Sequence, residues 1–136
     1  RLGLPIISHG GQFTSDGPYA RPKNFTRVLE NFPDLTLVIA HLGRNYFEES
    51  IDLAKRFPQL NFDTSAAIPA AEGAPSLSDD EAVDLIRKIG VDRVMFGSDY
   101  PWFHPGRDLK RFLGLKLTRD EKKAILSENA RRILKL

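Results

Sequence analysis

Two of the three histidines in this 136-residue chain, His9 and His41, stand directly after apolar runs and before turns. Asp63 and Asp99 stand in the same way, after "LNF" and "VMFGS". Imidazole nitrogens and carboxylate oxygens are the donors that zinc and related divalent ions accept. The same groups take a proton from water as general bases. Either chemistry needs rigid supports, because a metal or a reacting atom tolerates little drift in the groups around it. One such histidine alone reads as a hydrogen-bonded core or turn residue. Two at matched positions, joined by Asp99, read as a site. "DTS" at Asp63 reads more simply as a cap that turns the chain. His104, between Phe103 and Pro105, reads as loop or pocket wall and not as a ligand.

The elements that must position these groups follow from hydrophobic spacing. Leu4–Ser8, Leu35–Ala40, Leu60–Ala66 and Arg93–Phe96 are short apolar strands. Between them, Pro22–Phe32, Tyr46–Phe57 and the segment from Ser78 to Gly90 repeat apolar residues at helical spacing. "SDDE" at 78–81 and "TRDE" at 118–121 are capping boxes. A short helix is expected near Leu109–Leu113, and a final helical segment that breaks around Ser127–Glu128 and resumes to Leu134. Residues 12–21 and 67–77 read as loops. Strands that are apolar throughout, rather than alternating, imply a parallel sheet covered on both faces. Two architectures fit the βα order, a small doubly wound sheet or part of a (β/α) barrel. In both, the strand ends gather at one edge, where function sits.

Composition narrows the class. The net charge of +2 is too small to imply a nucleic-acid partner, although ten of the 20 Lys and Arg fall in residues 107–136. Apolar residues interleave with those charges, as on the solvated faces of terminal helices. Without cysteine there is neither a disulfide nor a thiolate metal site. No apolar run approaches the ~20 residues that span a bilayer. The chain opens at Arg1, almost directly into a strand, and its one methionine is Met95, which suggests a piece of a longer protein.

The strand-end motifs, taken together, resemble the second half of the amidohydrolase superfamily barrel. More narrowly, they resemble the amidohydrolase-related group that includes decarboxylases of the aminocarboxymuconate-semialdehyde type. "LPIISHGG" is similar to that family's fifth strand, "LTLVIAHLG" to its sixth, "LNFDTS" to its seventh and "VMFGSDYP" to its eighth. "LSENARRIL" resembles the closing segment. The resemblance implies an α/β fold, the C-terminal half of a TIM-type (β/α)8 barrel, with residues 1–136 as one domain of about four βα units. It also implies one divalent metal ion, zinc in the first instance. His9 looks like a metal ligand, and Asp99 like the carboxylate that binds the metal or orients water. His41 looks like a ligand or the group that activates water or polarises the substrate. Nothing here matches the family's first-strand His-x-His pair, and strands one to four are absent.

Half a barrel exposes two sheet edges and an apolar inner face. The chain alone is therefore expected to bind metal weakly and to turn over little substrate. For the intact protein the expected function is hydrolysis of an amide, ester or lactone bond in a small molecule. The alternatives are decarboxylation of a small unsaturated or aromatic acid, and a noncatalytic interaction module. The expected partners are a small-molecule substrate and either a second copy or the missing half. Neither nucleic acid nor membrane is expected, and the compartment expected is the cytoplasm. Tyr100 and Trp102, with Phe103, form an aromatic pocket wall or else pack the core. Arg44 either pairs with a substrate carboxylate or is an ordinary exposed arginine.

Overall fold

The computed structural model describes residues 3–12, 18–68 and 77–136. Strands β1 (Ile6–Ser8), β2 (Leu37–Ile39), β3 (Leu60–Asp63) and β4 (Val94–Met95) form one sheet in sequence order. All three pairings are parallel, in the register Ile6 to Leu37, Leu37 to Leu60 and Phe62 to Val94. Helices α1 (Thr26–Asn31), α2 (Phe47–Arg56) and α3 (Asp79–Ile89) make the crossovers. Parallel neighbours require such crossovers, so the order dictates one helix between each pair of strands.

Leu37, Ile39, Leu60, Phe62 and Val94 enter the same buried cluster as Leu29 of α1, Leu53 and Ala54 of α2 and Ile86 of α3. These residues alternate along their strands and so share one face of the sheet. Ser78 caps α3 through its Oγ, which accepts from Glu81 N–H at 3.3 Å, while Glu81 Oε2 accepts from Ser78 N–H at 2.8 Å. The capping box expected at "SDDE" is therefore formed. So is the one at "TRDE", which opens α5 (Arg119–Lys123). There Glu121 also accepts from Arg87 Nε at 2.9 Å, joining α5 to α3. Hydrogen bonding from Arg87, with the cap, lowers the Glu121 carboxyl to about 2.

Three local expectations change. The last strand is only Val94–Met95: Val91–Arg93 winds into a 3-10 turn before it, and Phe96 N–H after it donates to the carbonyl of Ile125 at 2.9 Å. Asn129 Nδ2 holds that turn by donating to the carbonyls of Val91 at 2.7 Å and Val94 at 2.8 Å. The helix expected near Leu109–Leu113 is longer: α4 runs Pro105–Gly114, started by a proline in its first turn and capped by His104. The final segment does not break at Ser127–Glu128. It passes through a π-helical stretch, Ala124–Glu128, into α6 (Asn129–Leu134), so the wider turn absorbs what a break would have.

The second face of the sheet is not bare. Val38 and Met95 are buried there against Ile133, with Ala130 and Leu134 alongside, so α6 covers part of it. The edge at β1 is open instead: Leu4, Ile6 and Ile7 are 68, 50 and 58 % exposed. Among the described residues no helix is long and apolar enough to cross a membrane. The loop expected at 67–77 lies mostly outside the described residues, as does part of the one at 12–21.

Candidate active site

Ala40–Gly43 leaves β2 in a tight turn, with His41 at φ 63, Leu42 at φ 51 and Gly43 at φ 72. Left-handed backbone costs an ordinary residue on the order of 1 kcal/mol. Burial offsets it: Leu42 is fully buried in the core, and Ser50 Oγ donates to its carbonyl at 2.9 Å. A Cβ on Gly43 would stand 2.1 Å from that same Ser50 Oγ, so the turn has room for glycine alone. The turn brings the His41 ring to the tip of β3.

At that tip Asp63 does what its "DTS" context suggests. Its Oδ1 accepts from Ser65 N–H at 3.0 Å and from Ser65 Oγ. It also accepts from His41 N–H at 3.1 Å, and so ties the β2 turn to β3. Ser65 in turn fixes the His41 ring, with both its carbonyl and its Oγ 2.9 Å from Nδ1. A carbonyl only accepts, so His41 Nδ1 carries a proton. His9 Nδ1 lies 3.0 Å from His41 Nε2, and the two rings share one hydrogen bond there. With His9 Nδ1 as the donor of that bond, its lone pair is on Nε2, the form in which histidine binds a cation. One hydrogen-bonded chain, Asp63–Ser65–His41–His9, thus orients both rings.

His9 reaches this position because the tip of β1 is stitched to the β2 turn. Gln12 N–H donates to Arg44 O at 3.0 Å, and Asn45 Nδ2 donates to Gln12 O at 2.8 Å. Gly11, at φ 109, lies so close to Arg44 that a Cβ would stand 2.5 Å from the Arg44 carbonyl oxygen. Thr64 locks the opposite side: its Oγ1 accepts from Gly97 N–H at 3.1 Å, and Thr64 N–H donates to Met95 O at 3.0 Å. The segment after β4 then turns at Asp99, φ 64, whose carbonyl accepts from Trp102 N–H at 3.0 Å. Aspartate tolerates this backbone better than most residues.

The result is a cavity of about 490 Å³ lined by His9, His41, Asp99, Trp102 and Phe103. His41 is buried, and His9 is exposed at the mouth. Tyr100 lines the neighbouring pocket instead, and both Tyr100 and Trp102 are largely exposed, so neither packs the core. Arg44 is not the exposed arginine its position suggested. It is 7 % exposed and donates from Nη1 to Ala66 O at 2.7 Å, because that turn carbonyl needs a donor. Burial pushes its pKa down, and the Asp99 charge acts against that shift. Ser65 was not singled out in the sequence. His104 caps α4, with Nδ1 accepting from Gly106 N–H at 3.1 Å.

Imidazole and carboxylate on the same cavity suit a divalent cation of the zinc or manganese kind. Among the described residues no three His, Cys, Asp or Glu side chains converge on one ion. His9 and Asp99 would therefore be part of a coordination sphere.

Four parallel strands whose polar tips share one edge form half of a TIM-type barrel. The family is the amidohydrolases: the family model described as Amidohydrolase matches residues 1–136, and the chain belongs to that family. No curated protein matches the chain in sequence. Among solved structures it is similar to an uncharacterised TIM-barrel protein of Bordetella bronchiseptica. The two are 29 % identical, with a TM-score of 0.83, over 98 % of this chain and 46 % of that one. A 2,6-dihydroxybenzoate decarboxylase from Rhizobium matches at 18 % identity and TM-score 0.70, over 98 % of this chain and 52 % of that one. A dihydroxybenzoic acid decarboxylase of Polaromonas, solved with manganese and 2-nitroresorcinol, matches at 17 % identity and TM-score 0.71, over 99 % of this chain and 51 % of that one. The chain spans about half the length of these structures.

Proposed function

We propose that the intact protein is a metal-dependent hydrolase of small molecules with an amide, ester or lactone bond, and that His9, His41 and Asp99 belong to its active site. The observation that carries this reading is the His41–His9 hydrogen bond, 3.0 Å long, on the cavity that Asp99 also lines. His9 and Asp99 would hold one divalent ion, zinc or a relative, with further ligands outside the described residues. Such an ion supplies Lewis-acid polarisation of a carbonyl and acidifies water toward a pKa of about 7. The chain's own residues then handle protons. Asp99 accepts one at a carboxylate oxygen. His41, its Nδ1–H held by Ser65, takes or returns a proton at Nε2, giving up its contact with His9 as it does so.

Decarboxylation of an aromatic acid is the second reading. Trp102 and Phe103 favour it as flat apolar surfaces beside the same polar groups. Two of the similar solved structures are also decarboxylases by name. Reactions of the intact protein in ¹⁸O-water with dihydrocoumarin and with 2,6-dihydroxybenzoate separate the two. Hydrolysis leaves one ¹⁸O in the ring-opened acid of the lactone, which is the result expected. Release of carbon dioxide from the benzoate, with the lactone untouched, would overturn the hydrolase in favour of the decarboxylase.

A further inference from the structure

Trp102 and Phe103 have a cavity on each side. Besides the site above, they line a second pocket of about 210 Å³ with Tyr100, His104 and Arg107. We infer that this second pocket is a seat for a carboxylate, and that the substrate is an elongated molecule with its reacting group at His9 and Asp99 and a second, anionic end beyond the aromatic pair. The inference rests on the proposed function only for which end reacts.

The donors of the pocket carry the argument. Arg107 is exposed, lies in the first turn of α4 and makes no ion pair or side-chain hydrogen bond among the described residues. Its charge is permanent, and its fork of donors matches a carboxylate two atoms to two. His104 supplies a second donor. Its Nδ1 accepts from Gly106 N–H, which leaves Nε2 as the donor of the ring. Asp108, which also lines the pocket, is 4 % exposed and has an interaction of its own, so it adds little open surface to the seat. Between the two seats lie Trp102, 82 % exposed, and Phe103, which line both cavities and offer a path for an apolar or aromatic middle. A pocket of this volume holds a head group and not a whole substrate.

Calorimetric titration of the intact protein tests this with two matched pairs: terephthalate against benzoate, and biphenyl-4,4′-dicarboxylate against biphenyl-4-carboxylate. At least one diacid should bind about tenfold tighter than its monoacid, the scale of a charge-assisted pair. Arg107→Gln should abolish that difference. An equal affinity within both pairs, or a preference that survives Arg107→Gln, would overturn the anion seat. His9→Ala separates the two proposals. If it weakens both acids alike, the reacting end lies where the proposed function places it. If it changes neither while Arg107→Gln still erases the diacid preference, the anion seat stands and the assignment of His9 fails.

Discussion

His41→Ala should lower kcat of the intact protein by about 10³, within the range that a positioned proton-transfer group contributes. The expectation follows from what the ring does on both sides. Nδ1 faces the carbonyl and hydroxyl of Ser65, each at 2.9 Å, and Nε2 faces His9 at 3.0 Å. Removing it deletes the proton carrier and frees His9 to take either tautomer. Ser65→Ala should cost less, roughly tenfold, because the Ser65 carbonyl still holds Nδ1–H and only the orienting hydroxyl is lost. Steady-state kinetics on whichever substrate the ¹⁸O experiment identifies measures both. A His41→Ala enzyme within threefold of wild type would remove His41 from the chemistry.

Gly11→Ala should lower the melting temperature by about 10 °C, a loss of about 3 kcal/mol for a domain of this size. Two costs combine. Alanine at φ 109 occupies backbone that side chains rarely adopt, worth about 1–3 kcal/mol. The new methyl would also meet the carbonyl oxygen and amide nitrogen of Arg44 at 2.5 and 2.6 Å, backbone atoms that cannot rotate away. Overpacking of that kind costs about 1–3 kcal/mol more. The chain can relieve it only by parting the tip of β1 from the β2 turn, which moves His9 away from His41. Turnover should therefore fall with stability. Gly114→Ala is the control, since a Cβ there meets nothing within 4 Å. Thermal melts followed by circular dichroism decide, and a Gly11→Ala melt within about 2 °C of wild type would contradict the close packing of the two tips.

What was legible in the sequence is what short-range patterns encode. "LTLVIAH" puts a histidine after a continuously apolar strand, and both capping boxes lie where Ser78 with Glu81 and Thr118 with Glu121 announce them. The polar tips at His9, His41 and Asp99 do meet one cavity, as parallel strands require. Long-range partners were not legible. Ser65 is an ordinary turn residue until β2 and β3 pair and bring His41, 24 residues away, onto its carbonyl. Arg44 looked like a surface charge because nothing local marks the Ala66 carbonyl that buries it. His104 read as loop, yet the cap it makes on α4 fixes its tautomer. The strand β4 stops at Met95 because the next amide, Phe96 N–H, donates to the carbonyl of Ile125, 29 residues on.

The claim that His9, His41 and Asp99 form one metal-dependent site is tested most directly by the metal content of the intact protein. Wild type should hold one zinc or manganese ion per chain by mass spectrometry after dialysis, His9→Ala and Asp99→Ala should each hold far less, and all three should keep the same circular dichroism. A folded wild type with no stoichiometric metal, or variants that retain it in full, would contradict the account.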